Sequence, residues 1–177
     1  LNTELDAKLQ ELATAGLTRH RRVLETPCGR IATVDSKKVL NFAANDYLGL
    51  AGNAEIARAL ADGAVQWGAG SGASHLVSGH LAPHEALEKE IAEFTGFPRA
   101  LTFSTGYLAN LAVTPTLAGR GDAVFADKLN HASLIDAMQL AKANGADVQR
   151  YPHNDMSALQ ISIAASSATT RLIVSDA

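Results

Sequence analysis

The seven residues from Ser104 to Asn110, with the sequence STGYLAN, have the features of a turn that can bind an anion. Gly106 allows the backbone to approach a ligand closely, and the unpaired amides in the first turn of a following helix attract negative charge. The segment is not a Walker loop, because no Gly-Lys-Ser or Gly-Lys-Thr follows, and it lacks the GxGxxG spacing. An ordinary glycine-containing turn between a strand and a helix is the alternative, so this segment alone leaves the choice open.

A second candidate is His131, which follows the apolar run AVFAD and begins a segment with helical spacing. An imidazole at the edge of a sheet can stack on a planar ring and can donate or accept one hydrogen bond. The alternative is a histidine that caps the helix and binds no ligand. The residues themselves do not decide between these interpretations, and Asn130 or Ser133 could cap the helix in either case.

The other histidines and the serines give no further catalytic pattern. His75, His80 and His84 are five and four residues apart, but Pro83 interrupts a shared helical face, and no cysteine or carboxylate cluster completes a metal site. We therefore expect no bound metal. A serine hydrolase is also disfavoured, because the sequence contains no G-x-S-x-G motif.

A short basic cluster, Arg19-His20-Arg21-Arg22, follows the first predicted helix. Such a cluster usually lies in solvent at a helix end, where the helix dipole favours positive charge. The alternative is that one arginine binds a carboxylate through both prongs of its guanidinium group. The residue types do not identify which arginine would do so.

The C-terminal half of the sequence alternates between strand-like and helix-like segments, which predicts βαβ units and a mainly parallel sheet with flanking helices. Strands are predicted over residues 99–105, 123–127, 147–151 and 171–175. Helices are predicted from Pro83 to Gly96, from about Tyr107, from Ala132 to Asn144 and over residues 156–165. Ligands of such sheets bind beyond the carboxyl ends of the strands, here residues 105–107, 127–131 and 175–176.

The N-terminal half has a different organisation. Leu5, Leu9 and Leu12 predict an amphipathic helix that Gly16 ends. Two short strands within residues 30–42 are expected to turn at residues 35–38, and a helix is expected over 54–67. Residues 68–80 are too rich in glycine and serine to predict regular structure. We place a boundary between an N-terminal helix and hairpin segment (1–45) and the first part of a larger domain (46–177). A strand is predicted directly before Ala177, where a domain rarely ends, so we expect the larger domain to be truncated.

Composition limits the classes of partner. The 177 residues carry a net charge of −3, which provides no basic field for nucleic acid or an anionic membrane. The single cysteine, Cys28, excludes a disulfide within these residues and favours a reducing compartment, so we expect a cytoplasmic protein. The sequence contains no run of 18 apolar residues, so it predicts no membrane span.

Four stretches together resemble the α-oxoamine synthase family, the fold-type I pyridoxal-phosphate enzymes that condense an amino acid with an acyl-CoA and release carbon dioxide. They occur in the family's order and are NDYLGL (45–50), GSGASHLVSGH (70–80), FSTGYLAN (103–110) and LNHASLIDA (129–137). The resemblance covers the chain from about residue 17 to its end. It implies an α/β fold in which residues 46–177 form the first part of the large domain that binds pyridoxal 5'-phosphate.

The resemblance also implies roles for individual residues. Gly106 and Tyr107 are expected to bind the cofactor through their backbone amides, and Tyr107 also through its side chain. His131 is expected to stack on the pyridine ring, to touch the substrate and to take part in catalysis. Asn45 is expected near the reacting centre, and Arg19 is expected to contact the acyl substrate.

Members of the family are homodimers that share their active sites, so residues 68–80 are expected to reach the partner subunit. The sequence of residues 68–80 resembles that of the family branch that joins L-alanine to pimeloyl-CoA or pimeloyl-carrier protein in biotin biosynthesis. Sister branches, which use glycine and a different acyl-CoA, are the alternative.

Two features depart from the family's pattern. Pro115 falls inside the helix that follows GYLAN, where we expect a kink or an early end. The lysine that holds the cofactor covalently belongs beyond Ala177 in the family, and none of the six lysines present has its context. We therefore expect these 177 residues alone to be inactive. The lysines are Lys8, Lys37, Lys38, Lys89, Lys128 and Lys142.

Overall fold

A computed structural model describes residues 2–176, which belong to two compact units, Leu1–Gly79 and His80–Ala177. The change from one unit to the other falls inside the glycine-rich segment. The boundary that the sequence suggested at residue 45 stays a prediction. No helix among residues 2–176 has the length and apolar character needed to cross a lipid bilayer.

The first unit contains two helices and a hairpin, as the sequence predicts. They are α1 (Asn2–Thr14), β1 (Ile31–Val34), β2 (Lys37–Leu40) and α2 (Ala54–Trp67). Strands β1 and β2 pair antiparallel, with Val34 opposite Lys37. The turn is shorter than expected: Asp35 and Ser36 have φ values of 49° and 60°, which is the geometry of a two-residue hairpin turn whose twist matches the strands. Lys37 therefore begins β2 instead of lying in the turn.

The glycine-rich segment is more regular than expected. A π-helical turn spans His75–Gly79, and the amide of Gly79 donates to the carbonyl oxygen of Ser74 at 2.9 Å. Gly79 is buried, and a Cβ there would overlap the carbonyl oxygen of Ala73 and lie 2.6 Å from its carbon. The prediction of irregular structure over 68–80 is thus wrong for 75–79, because a glycine at this position permits a turn that a side chain would block.

The second unit is built on a parallel three-stranded sheet in the order β4-β3-β5, which confirms the predicted βαβ organisation. Its strands are β3 (Ala123–Asp127), β4 (Asp147–Tyr151) and β5 (Arg171–Val174), and its helices are α3 (Ala82–Thr95), α4 (Gly106–Leu117), α5 (Ala132–Ala143) and α6 (Met156–Ala165). All five residues of the central strand β3 are buried.

The two faces of β3 lie in two apolar clusters, because successive side chains of a strand point to opposite faces. Val124 and Ala126 pack with Met138 of α5 and Val174 of β5. Phe125 on the other face belongs to a cluster that contains Leu159 of α6. Helices α5 and α6 thus hold the central strand between them, and this fixes the position of the loop that follows β3.

One predicted strand is absent from the structure. Residues 99–105 form no strand, and Leu101 is 79% exposed. The amide of Thr102 donates to Oε1 of Glu88 at 2.8 Å, and its hydroxyl donates to the same oxygen at 2.9 Å. An apolar run becomes a strand only where a neighbouring strand accepts its amides, and here a helix side chain accepts one of them.

Pro115 lies in the last turn of α4, which ends two residues later at Leu117, in agreement with the early end expected there.

Candidate functional site

The carboxyl ends of β3, β4 and β5 meet at one edge of the sheet, and the loops that follow them are joined by hydrogen bonds. The amide of His131 donates to Oδ2 of Asp176 at 3.1 Å. Nδ2 of Asn130 donates to the carbonyl oxygen of Val174 at 3.1 Å. The amide of Lys128 donates to the carbonyl oxygen of Tyr151, also at 3.1 Å. Residues that the sequence placed at this edge, 127–131 and 175–176, are therefore brought together.

Asp127 fixes the loop between β3 and α5. Its carboxylate accepts hydrogen bonds from the amides of Asn154 at 3.0 Å and Leu129 at 2.8 Å, and Nδ1 of His153 lies 3.0 Å away. These contacts, with the Asn154 amide contributing most, lower the pKa of Asp127 from 3.8 to about 2, so its side chain is ionised at neutral pH. A buried carboxylate that ties β3 to the loop after β4 holds the next residues, including His131, in one place.

His131 caps α5 with its own side chain. Nδ1 of His131 accepts a hydrogen bond from the amide of Ser133 at 3.2 Å and lies 2.7 Å from the hydroxyl oxygen of Ser133. That hydroxyl accepts a hydrogen bond from Nδ2 of Asn110 in α4 at 2.9 Å. The capping interpretation is therefore confirmed as a contact. The cap uses only Nδ1 of His131, and the residue is exposed, so the ring remains accessible to a ligand.

The N-terminus of α4 lies beside the first turns of α5. Thr105 caps α4 by accepting the amide of Leu108 at 3.2 Å. The hydroxyl of Tyr107 donates to Oδ2 of Asp136 at 2.5 Å, and this bond is the main cause that raises the pKa of Tyr107. Together with the bond between Asn110 and Ser133, it places the start of α4 next to the start of α5.

The residues present fit an anionic cofactor at this position. The amides of Gly106 and Tyr107 have no acceptor among residues 2–176, as is usual for the first turn of a helix. A Cβ at Gly106 would meet no other atom within 4 Å, so no part of the described chain fills the space on that side of the residue. Oδ1 of Asn130, at the same edge, is buried and has no hydrogen-bond partner among the described residues.

Arg19 and Asn45 belong to the first unit, whereas Gly106, Tyr107 and His131 belong to the second. Arg19 and Asn45 lie in irregular segments, and the two residues are exposed. Asp46, next to Asn45, shapes the NDYLGL turn because its Oδ1 accepts the amides of Leu50 at 2.8 Å and Ala51 at 3.1 Å. The structure brings together the three residues of the second unit. The roles of Arg19 and Asn45 stay predictions.

The sequence interpretation of His80 needs a correction, since carboxylates do lie near it. Nε2 of His80 is 3.1 Å from Oε2 of Glu85, and ligand atoms of His80, Glu85 and Glu88 lie within 4.8 Å of one another. Helix α3 brings these residues together because it begins at Ala82, before Pro83, which is tolerated in the first turn. Nδ1 of His84 accepts the amide of Leu81 at 2.9 Å, and Glu88 binds Thr102, so these side chains hold the start of α3 and the chain after it.

Sequence reasoning missed the side-chain pairs that support His131 and Tyr107. Asn110 and Ser133 are 23 residues apart, and Tyr107 and Asp136 are 29 apart, so no local spacing signals either pair. They meet only because α4 and α5 pack side by side. Asp127 carried a usable signal, because a carboxylate at the end of a fully apolar strand requires partners.

The sequence model of the aminotransferase class I and II family matches residues 37–175. The chain belongs to the aminotransferase class I and II family. Among solved structures with the same fold, Sphingomonas wittichii serine palmitoyltransferase has a TM-score of 0.84 and 28% identity, over 96% of this chain and 43% of that one. A related serine palmitoyltransferase from S. paucimobilis was solved with a bound PLP–myriocin aldimine. This aminotransferase-family chain thus has the fold of the first part of a fold-type I PLP-dependent transferase, as predicted.

Closer relatives are named 8-amino-7-oxononanoate synthase. The protein from Dechloromonas aromatica is 80% identical over 177 residues, which are all of this chain and 46% of the relative. That from Herminiimonas arsenicoxydans is 57% identical over 98% of this chain and 44% of its own length. The solved synthase from Francisella tularensis is 35% identical, with a TM-score of 0.59 over 73% of this chain and 35% of that one. The aminotransferase-family chain spans less than half the length of the relatives it matches.

Proposed function

We propose that these residues are part of an 8-amino-7-oxononanoate synthase, which condenses L-alanine with pimeloyl-CoA or pimeloyl-carrier protein, releases carbon dioxide and serves biotin biosynthesis. The observation that carries the proposal is the 80% identity over all 177 residues to a protein of that name. The 28% identity to serine palmitoyltransferases supports a shared fold, and it favours their activity less than the 80% identity favours the synthase activity. The full-length enzyme used in the experiments is a polypeptide of the relatives' length that carries these residues.

We further propose pyridoxal 5'-phosphate as the cofactor of this site. The open amides of Gly106 and Tyr107 would bind its phosphate, favoured by the positive end of the α4 dipole. His131, whose Nδ1 is engaged in capping, would stack its exposed ring on the pyridine. The bound cofactor supplies an electron sink for bonds at the Cα of the amino acid.

The chain's own residues would bind and orient the substrates. We assign His131 to substrate contact through Nε2 and to catalysis, Asn45 to a position near the reacting centre and Arg19 to the acyl substrate. The assignments of His131 and Asn45 rest on the motifs that contain them, and that of Arg19 rests on its place after Gly16-Leu17-Thr18, as in the family. The Arg19 guanidinium can bind a carboxylate or carbonyl through two parallel hydrogen bonds, which suits a pimeloyl chain because its far end is a carboxylate.

The proposal includes a homodimer in which residues 68–80 reach the partner's active site. The π-helical turn at His75–Gly79 gives this segment a defined local shape, which a surface that binds a second subunit requires. A cytoplasmic location stays a prediction from the single cysteine.

The test is a substrate comparison with the full-length enzyme and added pyridoxal phosphate. L-Alanine with pimeloyl-CoA is expected to release free CoA and carbon dioxide and to give 8-amino-7-oxononanoate by mass spectrometry. Glycine or L-serine, each offered with acetyl-CoA and palmitoyl-CoA, provides the control for the sister activities. A higher kcat/KM with either control amino acid would contradict the proposal.

A further inference from the structure

The contacts of His131 decide which of its ring nitrogens carries the proton. Its Nδ1 faces the backbone amide of Ser133 at 3.2 Å. A backbone amide can only donate, so Nδ1 must present its lone pair. In a neutral imidazole the other nitrogen, Nε2, then carries the proton.

The hydroxyl of Ser133 acts in the same direction. Its oxygen is 2.7 Å from Nδ1, and Ser133 is only 1% exposed, so water does not compete for its proton. Nδ2 of Asn110 donates to the same oxygen at 2.9 Å. The hydroxyl proton therefore points away from Asn110 and towards Nδ1, which receives two donors from one residue.

We propose that Ser133 is a positioning residue that fixes His131 as the tautomer protonated on Nε2, with Asn110 orienting the Ser133 hydroxyl. Nε2 has no hydrogen-bond partner among residues 2–176, so it offers a fixed donor to a bound molecule. A donor in this place suits an oxygen of the cofactor or the carboxylate of an amino acid. This use of Nε2 rests on the proposed function, whereas the tautomer does not.

The experiment is NMR of the full-length enzyme with 15N-labelled histidine, at alkaline pH where imidazoles are neutral. The His131 signal is identified by its loss in His131→Gln. We expect a protonated Nε2 and an unprotonated Nδ1. A ring protonated on Nδ1 would overturn the proposal, and this measurement on the unsubstituted enzyme requires no variant of Ser133 to fold.

Ser133→Ala removes the hydroxyl and keeps the backbone amide. The ratio of the Nε2-protonated to the Nδ1-protonated form should fall about five-fold, the factor for one ordinary hydrogen bond of about 1 kcal/mol. Ser157→Ala is the matched control, because Ser157 is also the second residue of its helix, α6, but is exposed. An unchanged ratio in Ser133→Ala would show that the hydroxyl has no positioning role, even if the variant is less stable.

The two levels of the proposal fail separately. An Nε2-protonated His131 in an enzyme that makes no 8-amino-7-oxononanoate would contradict the proposed function and leave the tautomer standing. An active synthase with Nδ1-protonated His131 would overturn the tautomer alone.

Discussion

His131 combines two roles that its sequence context presented as alternatives. Nδ1 caps α5, and the ring faces and Nε2 remain for a ligand. Capping and stacking use different atoms, so the observed cap gives no reason to reject the stacking role. The cap also supplies what a stacking ring needs, because a ring held by two donors keeps one orientation.

Replacing His131 by two different residues separates these roles in the full-length enzyme. His131→Ala removes both the cap and the ring, so it should lower stability by about 1 kcal/mol and also weaken cofactor binding. His131→Asn keeps a side-chain oxygen that can cap, so its stability should stay close to that of the parent. Both variants should bind the cofactor about two- to twelve-fold more weakly, since stacking contributes roughly 0.5–1.5 kcal/mol. Urea midpoints and cofactor titrations provide the two measurements, and parental cofactor affinity in both variants would refute the stacking role.

Arg19 is tested by exchanging it for lysine in the full-length enzyme. Lysine keeps the charge but cannot form two parallel hydrogen bonds, so kcat/KM for the acyl substrate should fall about ten-fold or more. Arg21→Lys and Arg22→Lys are the matched controls, because they lie in the same exposed basic cluster. Equal losses in all three variants would indicate a diffuse basic surface and no special role for Arg19.

The elements that the sequence predicted best are those whose signals are local. The apolar run that ends in Asp127 gave β3, and Pro83 and Gly96 gave the bounds of α3 to within one residue. The predicted bounds of α2 and α5 also lie within one residue of those observed. The prediction failed at residues 99–105, where a strand depends on a distant partner and the Thr102 amide instead binds Glu88. The pairs around His131 could not be predicted for the same reason, because the packing of α4 on α5 creates them.

The loop between β3 and α5 should depend on the charge of Asp127. Its pKa is lowered from 3.8 to about 2 in the folded protein, so its contribution to stability is complete above about pH 4 and disappears as the pH falls towards 2. Asp127→Asn should therefore lower the urea midpoint of the full-length enzyme most above pH 4, and the gap should close on acidification. Asp147→Asn, at an exposed position, is the control. A gap that does not change between pH 6 and pH 2.5 would contradict this account of the loop.

At the scale of the whole molecule, many large apolar side chains are exposed. Phe42, Val65, Leu76 and Phe94 are each at least 90% exposed, and Tyr47 in the NDYLGL turn is 88% exposed. Scattered exposed apolar residues are normal, but so many large ones point to further protein contacts. They agree with a chain that spans less than half the length of its relatives.

The isolated 177 residues should form no stoichiometric covalent bond with pyridoxal phosphate. All six lysines are exposed, and none has the sequence context of the family's cofactor lysine. Lys128 lies on the loop after β3, where its backbone amide donates to the carbonyl oxygen of Tyr151. Incubation with the cofactor, reduction with borohydride and peptide mapping measure this. A single stoichiometric label at any of the six lysines would contradict the expectation, whereas the full-length enzyme should carry one label outside these residues.

In the proposed cofactor site, the start of α4 binds the phosphate and the ring of His131 stacks on the pyridine. A crystal structure of the full-length enzyme with pyridoxal phosphate tests this arrangement. We predict that phosphate oxygens lie within hydrogen-bonding distance of the amides of Gly106 and Tyr107, and that the pyridine ring stacks on His131. A cofactor whose phosphate lies at another helix, or whose ring has no contact with His131, would contradict the account.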